Sequence, residues 1–359
     1  MDAFPPMQTA IVGLPNGDLG VRSDVPLPSE LADDMILVQN HVVGLNPVDT
    51  KMTGSLGTPG AIAGMDFAGT VRAIGRGVVT PAGSLAVGDR VCGAVQGMHS
   101  LTPRVGAFAQ YVGATDHVTL RLPPTMSFAE GAALGSGIST VGLALFHIMR
   151  VPGYPDEPAQ TPRFVLVYGG STATGTLAIQ LLKLSGLRPI ATCSPRNFEL
   201  VRSFGAEEVF DYRSSTAAAD IRKHTRNSLK YVLDCISEPE TMQFCYECIG
   251  RLGGRYTALE PYPSWLHTRS NVEPAWVLGP TLLGKDIGWR EPFGRPRDPE
   301  TKAFGVRLFQ MAQRLLDEGK IRTHPLHPMP GGLQGVLDGM ELLRQKQISG
   351  KKLVYSLDP

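Results

Sequence analysis

Residues 44–54, GLNPVDTKMTG, place a proline turn after an apolar run and then Asp49, Thr50 and Lys51 in succession. A lysine ammonium held beside a reacting carbonyl can give a hydrogen bond or a proton to a developing enolate oxygen. The same lysine next to an aspartate reads equally well as a solvated surface pair. Ser139 and Thr140, at the start of a helical run, offer hydroxyls for similar work, or bond to their own helix backbone instead.

A second chemical signal lies at residues 165–183, VLVYGGSTATGTLAIQLLK, where a β-branched run meets glycines and a helical pattern follows at once. This is the strand–turn–helix in which dinucleotide folds hold a pyrophosphate at a helix N-terminus. Gly169 and Gly175 stand six apart, but Thr172 occupies the middle glycine position. The hydroxyls of Ser171, Thr172, Thr174 and Thr176 can donate to the phosphates in place of the missing glycine. An NAD site wants an acidic residue about 20 positions further on to accept from the ribose 2′-hydroxyl. Residues 185–198, SGLRPIATCSPRNF, hold no Asp or Glu; Ser194, Arg196 and Asn197 sit there instead. A cationic, donor-rich turn suits a 2′-phosphate, so the sequence favours NADPH over NADH.

Other chemistries find less support. Cys245 and Cys248 form a CxxC with no second pair, and they fall in a helical apolar pattern with Met242, Ile249 and Leu252 that reads as core. His324 and His327, in HPLHP, are confined by prolines and read as loop residues. No metal site is expected. No GxSxG elbow is present. Hydride transfer remains, in which the cofactor carries the chemistry while the protein orients the acceptor, stabilises charge and supplies a proton.

The elements that must position these groups fall into two blocks. Residues 9–13 and 19–25, joined by Asn16-Gly17, predict a hairpin, and residues 35–45, 67–75, 88–95 and 106–112 predict further short strands. Many short strands with glycine turns suggest a small barrel or sandwich. From Ser127, with Glu130 completing a capping box, the period becomes helical. Residues 152–162 are Pro-rich and polar, a linker by composition. Strand candidates then alternate with helical stretches at 164–168, 189–194, 207–212, 230–236 and 254–259, implying parallel βαβ units. Residues 261–301 resist assignment, residues 303–320 form an amphipathic helix, and KKLVYSL closes the chain as a strand that can return to the first block. The expected class is therefore α/β: a β domain joined to a doubly wound parallel sheet.

Composition bounds the partners. In 359 residues, 34 basic side chains oppose 33 acidic ones, and this balance offers no long-range field for nucleic acid. No apolar run approaches the roughly 18 residues a bilayer requires. The N-terminus lacks signal-peptide character, and five irregularly spaced cysteines suggest reduced thiols. A soluble cytoplasmic protein is the expectation.

The segments NPVDT, GMDFAGTV, VGDRV, GAFAQYV, EGAAL and AIQLLKLSG resemble the zinc-free, quinone-reductase-like branch of the medium-chain dehydrogenases, across essentially the whole chain. Zinc alcohol dehydrogenases carry a Cys where this chain has Pro47 or Val48, and a GHE where it has Gly64-Met65-Asp66; the four-cysteine structural lobe is absent too. The resemblance implies a GroES-like β-barrel catalytic domain, residues 1–160 with 300–359, and a Rossmann domain, residues 161–299. More narrowly, NPVDTKM, GISTVGLAL, VLVYGGSTATGT, GAEEVFDYR and LGPTLLG look like the trans-acting enoyl reductases of fungal polyketide synthases, for which STAT in the glycine turn is a marker.

That likeness implies that Val48, Asp49, Thr50 and Lys51 touch the nicotinamide side, with Lys51 as catalytic donor. It implies that Ser171, Thr172, Ala173 and Thr174, then Ser194, Pro195, Arg196 and Asn197, and finally Tyr212, Leu259, Glu260, Ser349 and Gly350, hold NADPH. Gly137, Ile138, Ser139, Thr140, Val141, Gly142, Leu143 and Ala144, with Gly279, Pro280, Thr281, Leu282 and Leu283, would line an acyl tunnel. The chain departs from the best-known member at Val48, where that member has a serine. By resemblance it is a monomer acting on an acyl chain tethered to the carrier protein of a synthase that lacks a working enoyl reductase. On this reading hydride passes to Cβ of an α,β-unsaturated thioester, with Thr140 helping Lys51. Free-standing reduction of quinones or enones is the alternative, and a non-catalytic NADPH-binding protein is a third reading.

Overall fold

The computed structural model describes residues 4–28 and 31–357. The chain forms two compact units, Met1–Ser139 with Pro280–Pro359, and Thr140–Gly279. Both crossings come earlier than residues 160 and 299. The Pro-rich stretch is not a free linker but packs within the second unit, where Ala159 N donates to Ser185 O at 2.9 Å and presses on Gly153 and Gly186.

The first unit opens on the antiparallel hairpin of β1 (Met7–Gly13) and β2 (Leu19–Pro26). At its tip Asn16 Oδ1 accepts from Asp18 N at 3.1 Å, and Gly17 takes φ +86°, where a Cβ would be strained. There follow β3 (Met35–Gly44), β4 (Asp66–Ile74), β5 (Arg90–Ala94), β6 (Tyr111–Thr115) and β7 (Thr119–Arg121). Residues 106–112 were expected as one strand. Only the part from Tyr111 pairs with β3, because Phe108 O accepts instead from Ile11 N of the hairpin at 2.8 Å. Ile36, Val38, Phe67, Val71, Val91 and Phe108 fill the core of this unit.

Both halves of the Ser127–Glu130 capping box form, at 3.2 and 2.8 Å. They start α1 (Phe128–Gly131), and after a turn α2 (Gly135–Gly142) runs into a π-helical stretch, Leu143–Ile148. This helical region corrects the expectation about apolar runs. Phe128–Ile148 spans 21 residues, and its most apolar 18-residue window has mean hydropathy 1.4, enough to cross a membrane by length and composition. Its Gly, Ser and Thr residues break the apolar count without adding charge. In the fold 61% of its most apolar window is buried inside the protein.

The second unit is a six-stranded parallel sheet of β8 (Phe164–Tyr168), β9 (Arg188–Cys193), β10 (Glu208–Asp211), β11 (Tyr231–Asp234), β12 (Gly254–Ala258) and β13 (Val272–Trp276). Its spatial order, β10-β9-β8-β11-β12-β13, is the doubly wound order that reverses between its first and fourth strands. The crossover helices are α3 (Ala173–Leu184), α4 (Phe198–Ser203), α5 (Ala217–His224) and α6 (Pro239–Cys248). The unassigned stretch supplies the sixth strand, whose Pro274 fits an edge position.

The chain then returns through α7 (Pro299–Asp317), β14 (Leu326–Met329), α8 (Gly332–Arg344) and β15 (Lys352–Ser356). β15 pairs antiparallel with β3 and parallel with β14, so the C-terminal strand closes the first unit's sheet. His327 therefore lies on β14 rather than in a loop, and His324 just before it is 5% exposed.

Candidate active site

In the second unit the turn after β8 is built for a close approach. Gly169 sits at φ +78°. A Cβ on Gly170 would lie 2.7 Å from Ala191 Cβ, and one on Gly175 would lie 2.5 Å from Gly169 O. Gly170, Thr172 and Gly175 thus fall in the spacing of the dinucleotide fingerprint, with the third glycine letting helix and turn touch. Thr172 is the N-cap of α3: its hydroxyl donates to Gly169 O at 2.8 Å and accepts from Gly175 N at 2.9 Å. Thr176 likewise donates to Ala173 O at 3.2 Å. Two of the four expected phosphate donors therefore have their protons engaged in the turn. Ser171 and Thr174 are half-buried, and their side chains make no hydrogen bond to any described residue. These two hydroxyls could donate to a ligand, as N–H groups at a helix N-terminus can.

The turn after β9 runs Ser194, Pro195, Arg196, Asn197, closed by Asn197 N donating to Ser194 O at 2.9 Å. Arg196 is exposed and makes no hydrogen bond or ion pair with any described residue. β10 lies in register beside β9, with Asp211 opposite Cys193, so Tyr212 and Arg213 emerge next to this turn. The Arg213 guanidinium stacks 5.4 Å from the Tyr212 ring centroid. Arg213 was not singled out from sequence; its position after a strand end beside Arg196 is visible only once strand order is known.

Asp234, at the end of β11, shapes the other side of the switch point. It is fully buried and accepts from Thr241 Oγ1 at 2.5 Å, Tyr256 Oη at 2.9 Å, and the N–H groups of Ile236 and Ser237 at 2.9 Å. Burial pushes this carboxyl up and the hydrogen bonds pull it back. In the loop so held the Ser237 hydroxyl oxygen accepts from Leu259 N at 2.7 Å, which places Leu259 and Glu260.

In the first unit Asp49–Lys51 is a short 3-10 turn. Lys51 is exposed, and Thr50 Oγ1 donates to Pro47 O at 2.7 Å. Asp49 points inward at 1% exposure. One of its oxygens accepts from Asn46 N at 2.7 Å, and the other has no hydrogen-bond partner among the described residues. Burial raises its pKa to about 7, against the opposing pull of Asn46 N–H and the Lys352 charge. The Asp49 carboxylate thus faces the core, and its backbone N–H and C=O are engaged within the turn. Asn46, Asp66 and Lys352 surround it, and sequence reasoning passed over all three as site residues. The available signals were a lysine in the otherwise apolar KLVYS strand and an aspartate between Met65 and Phe67.

The acyl-tunnel candidates fall in two groups. Ser139 is buried, and its hydroxyl donates to Gly135 O at 3.0 Å, so it serves its own helix. Thr140 is half-buried, and its side chain makes no hydrogen bond to any described residue. Its Oγ1 lies 3.9 Å from where a Gly279 Cβ would stand, so the helix and the Gly279–Leu283 turn meet there. Leu282 O bonds to His117 Nε2 at 3.0 Å within the first unit, and His117 Nδ1 faces Asp116 at 3.2 Å. Gly350 takes φ +66° just before β15, with Ser349 beside it.

Cys245 and Cys248 are buried on α6 as free thiols. Among the described residues no group of three or more His, Cys, Asp or Glu could hold a metal ion.

Comparison with known proteins adds a family context. Residues 32–124 match the family described as alcohol dehydrogenase GroES-like domain, and residues 173–259 match zinc-binding dehydrogenase. The chain is 64% identical to the trans-enoyl reductase FSL5 of Gibberella zeae, covering 99% of each chain. It is 52% identical to a trans-enoyl reductase of Gibberella fujikuroi, covering 98% of this chain and 99% of that one. Among solved structures, the CurK enoyl reductase aligns at TM-score 0.73 and 18% identity, covering 98% of each chain. A putative zinc-dependent alcohol dehydrogenase of Rhizobium etli aligns at TM-score 0.78 and 24% identity, covering 98% and 99%. These two establish likeness of fold.

Proposed function

This chain belongs to the trans-enoyl reductase family of the medium-chain dehydrogenases, and we propose that it reduces an α,β-unsaturated acyl thioester with NADPH, without zinc. The observation that carries the reading is a division of labour. One unit has a fingerprint turn followed by a ribose-side turn with Arg196 and no carboxylate. The other presents Lys51 on a turn fixed from beneath.

The residues fit the cofactor. The cradle of Gly170 and Gly175 admits no Cβ without clash, which is what close backbone packing at a pyrophosphate requires. Ser171, Thr174 and the α3 N–H groups would hold the phosphates, and Arg196 with Arg213 would pair the 2′-phosphate. When bound, NADPH supplies a hydride for the β-carbon of the acyl chain. Lys51 Nζ donates to the thioester oxygen and holds the negative charge that builds there as the enolate forms. A proton then returns to Cα, with Lys51 or water as its source and the Thr140 hydroxyl assisting orientation. Gly137, Val141 and Ala144, with Gly279 and Leu283, would line the acyl chain.

The substrate would arrive on the pantetheine arm of a synthase carrier protein, and the protein would act as a cytoplasmic monomer. The test is NADPH oxidation by purified protein offered a 2-enoyl pantetheine thioester or a simple quinone, with NADH run beside each. Thioester-dependent oxidation favouring NADPH is the expected outcome. Turnover of the quinone with an inert thioester would replace this reading with the detoxifying one.

A further inference from the structure

Three segments far apart in sequence meet at one buried carboxylate in the first unit. Asp66 is fully buried. Its Oδ1 accepts from Ser136 N, in the first turn of α2, at 2.6 Å. Its Oδ2 accepts from Asn46 Nδ2 at 2.8 Å and faces Lys352 Nζ of β15 at 3.2 Å, with only 6% of the lysine side chain exposed. Lys352 Nζ also donates to Asn46 Oδ1. Asn46 N in turn donates to Asp49 at 2.7 Å, and Asp49 N returns to Asn46 O at 3.1 Å. That closes the turn on which Lys51 N bonds Val48 O at 3.0 Å.

Gly44 lies opposite β15, where a Cβ would stand 2.1 Å from Ala132 O and 3.2 Å from Lys352 Cε, so the glycine lets the end of α1 pack close to the strand beside the lysine.

A buried ion pair of this kind is costly to desolvate, and apolar side chains of similar volume would often stabilise the fold as well or better. Its ligands explain what it does here. The ammonium does not merely neutralise Asp66; it fixes which way the Asn46 side-chain amide faces, and the backbone N–H and C=O of that same residue root the Lys51 turn. We infer that Lys352 is a positioning residue: through Asn46 and Asp66 its buried ammonium holds the turn bearing Lys51 and the start of α2 in a single arrangement. The inference rests on the reading of Lys51 as the oxyanion donor.

Lys352→Met alone leaves Asp66 buried without its cation and will destabilise the fold, so the informative protein is Asp66→Asn with Lys352→Met. This pair removes both charges together. Melting temperature and NADPH affinity should stay close to wild type, the latter within about threefold. The kcat for a 2-enoyl pantetheine thioester should fall about 10²-fold, the scale of an ångström-level misplacement, with little change in KM. Adding Lys51→Ala to the pair should cost far less than Lys51→Ala costs wild type, because both changes act through one group. Amide exchange at Thr50, Lys51 and Met52 should quicken about tenfold in the pair while β8 to β13 keep their protection.

Unchanged exchange at these amides, or an unchanged kcat in the pair, overturns the positioning role, as does full additivity with Lys51→Ala. A wild-type protein that never turns over the thioester fails the functional reading instead. The exchange comparison still decides whether Lys352 holds the turn.

Discussion

At the scale of single residues, the decisive contrast is between Lys51 and its neighbour Asp49. The two are two positions apart, yet one faces solvent and the other the core. Lys51→Ala is expected to lower kcat for thioester reduction by about 10²–10⁴-fold while NADPH affinity changes little. Stopped-flow NADPH oxidation beside a fluorescence titration of cofactor separates the two effects. Arg196 tests the proposed cofactor preference. Arg196→Ala should remove a charge-assisted bond of about 1.5–3 kcal/mol and so weaken NADPH by about 10–100-fold, with NADH nearly unaffected. A ratio of NADPH to NADH affinity that does not move would remove Arg196 from the 2′-phosphate site. Asp49 carries a pH signature. Its pKa rises from an ordinary carboxylate value to about 7 in the folded protein. The folded chain therefore binds more protons than the unfolded one between about pH 4 and 7, and stability from this group is lost as pH rises through that window. Asp49→Asn should flatten this dependence, which across the whole window amounts to on the order of 2–4 kcal/mol. Melting curves at pH 5, 6, 7 and 8 measure it, and equal slopes in both proteins would remove Asp49 as the source of the pH dependence.

At the scale of elements, two short pieces of backbone matter most. The N-terminus of α3 depends on Thr172, whose hydroxyl both donates into the preceding turn and accepts from Gly175 N. Thr172→Ala should cost about 1 kcal/mol of stability, read as a lower midpoint in urea. Thr172→Ser should keep most of it, since the hydroxyl is what caps. Gly175→Ala is a different kind of change: its Cβ would stand 2.5 Å from Gly169 O and 2.9 Å from Gly170 Cα. Backbone must move for it to fit, so NADPH binding should be lost while the sheet remains folded by circular dichroism. The sequence marked this turn correctly as a strand–turn–helix and offered four of its hydroxyls as donors to a phosphate. Hydrogen bonding inside the turn takes up Thr172 and Thr176 and leaves Ser171 and Thr174, a partition that a spacing rule does not contain.

At the scale of the whole molecule, cofactor binding should be visible as linkage. NADPH at about 100 times its dissociation constant should stabilise the protein by about 2.7 kcal/mol, and NADH at the same concentration by clearly less. Differential scanning calorimetry with each cofactor tests this, and equal shifts would count against the preference. The sequence by itself determined the alternation of five strands and helices in the second unit, the Asn16-Gly17 hairpin and the capping box at Ser127. These are local signals, written in periodicity and turn chemistry over a few neighbouring residues. It also carried the family likeness, in segments such as NPVDTKM and GGSTATG. Tertiary structure alone decided the rest. The strand at Val272–Trp276 has no clear pattern and exists because β12 offers it a parallel edge. The Pro-rich stretch at 152–162 became packed structure because Gly153 and Gly186 let it lie against its own unit. Asn46, Asp66, Ser136 and Lys352 are scattered through more than 300 positions, so no window of sequence contains them together. They meet because β15 pairs with β3 and β3 with β4, and because a buried charge must be met by whatever polar groups the closed sheet brings to it.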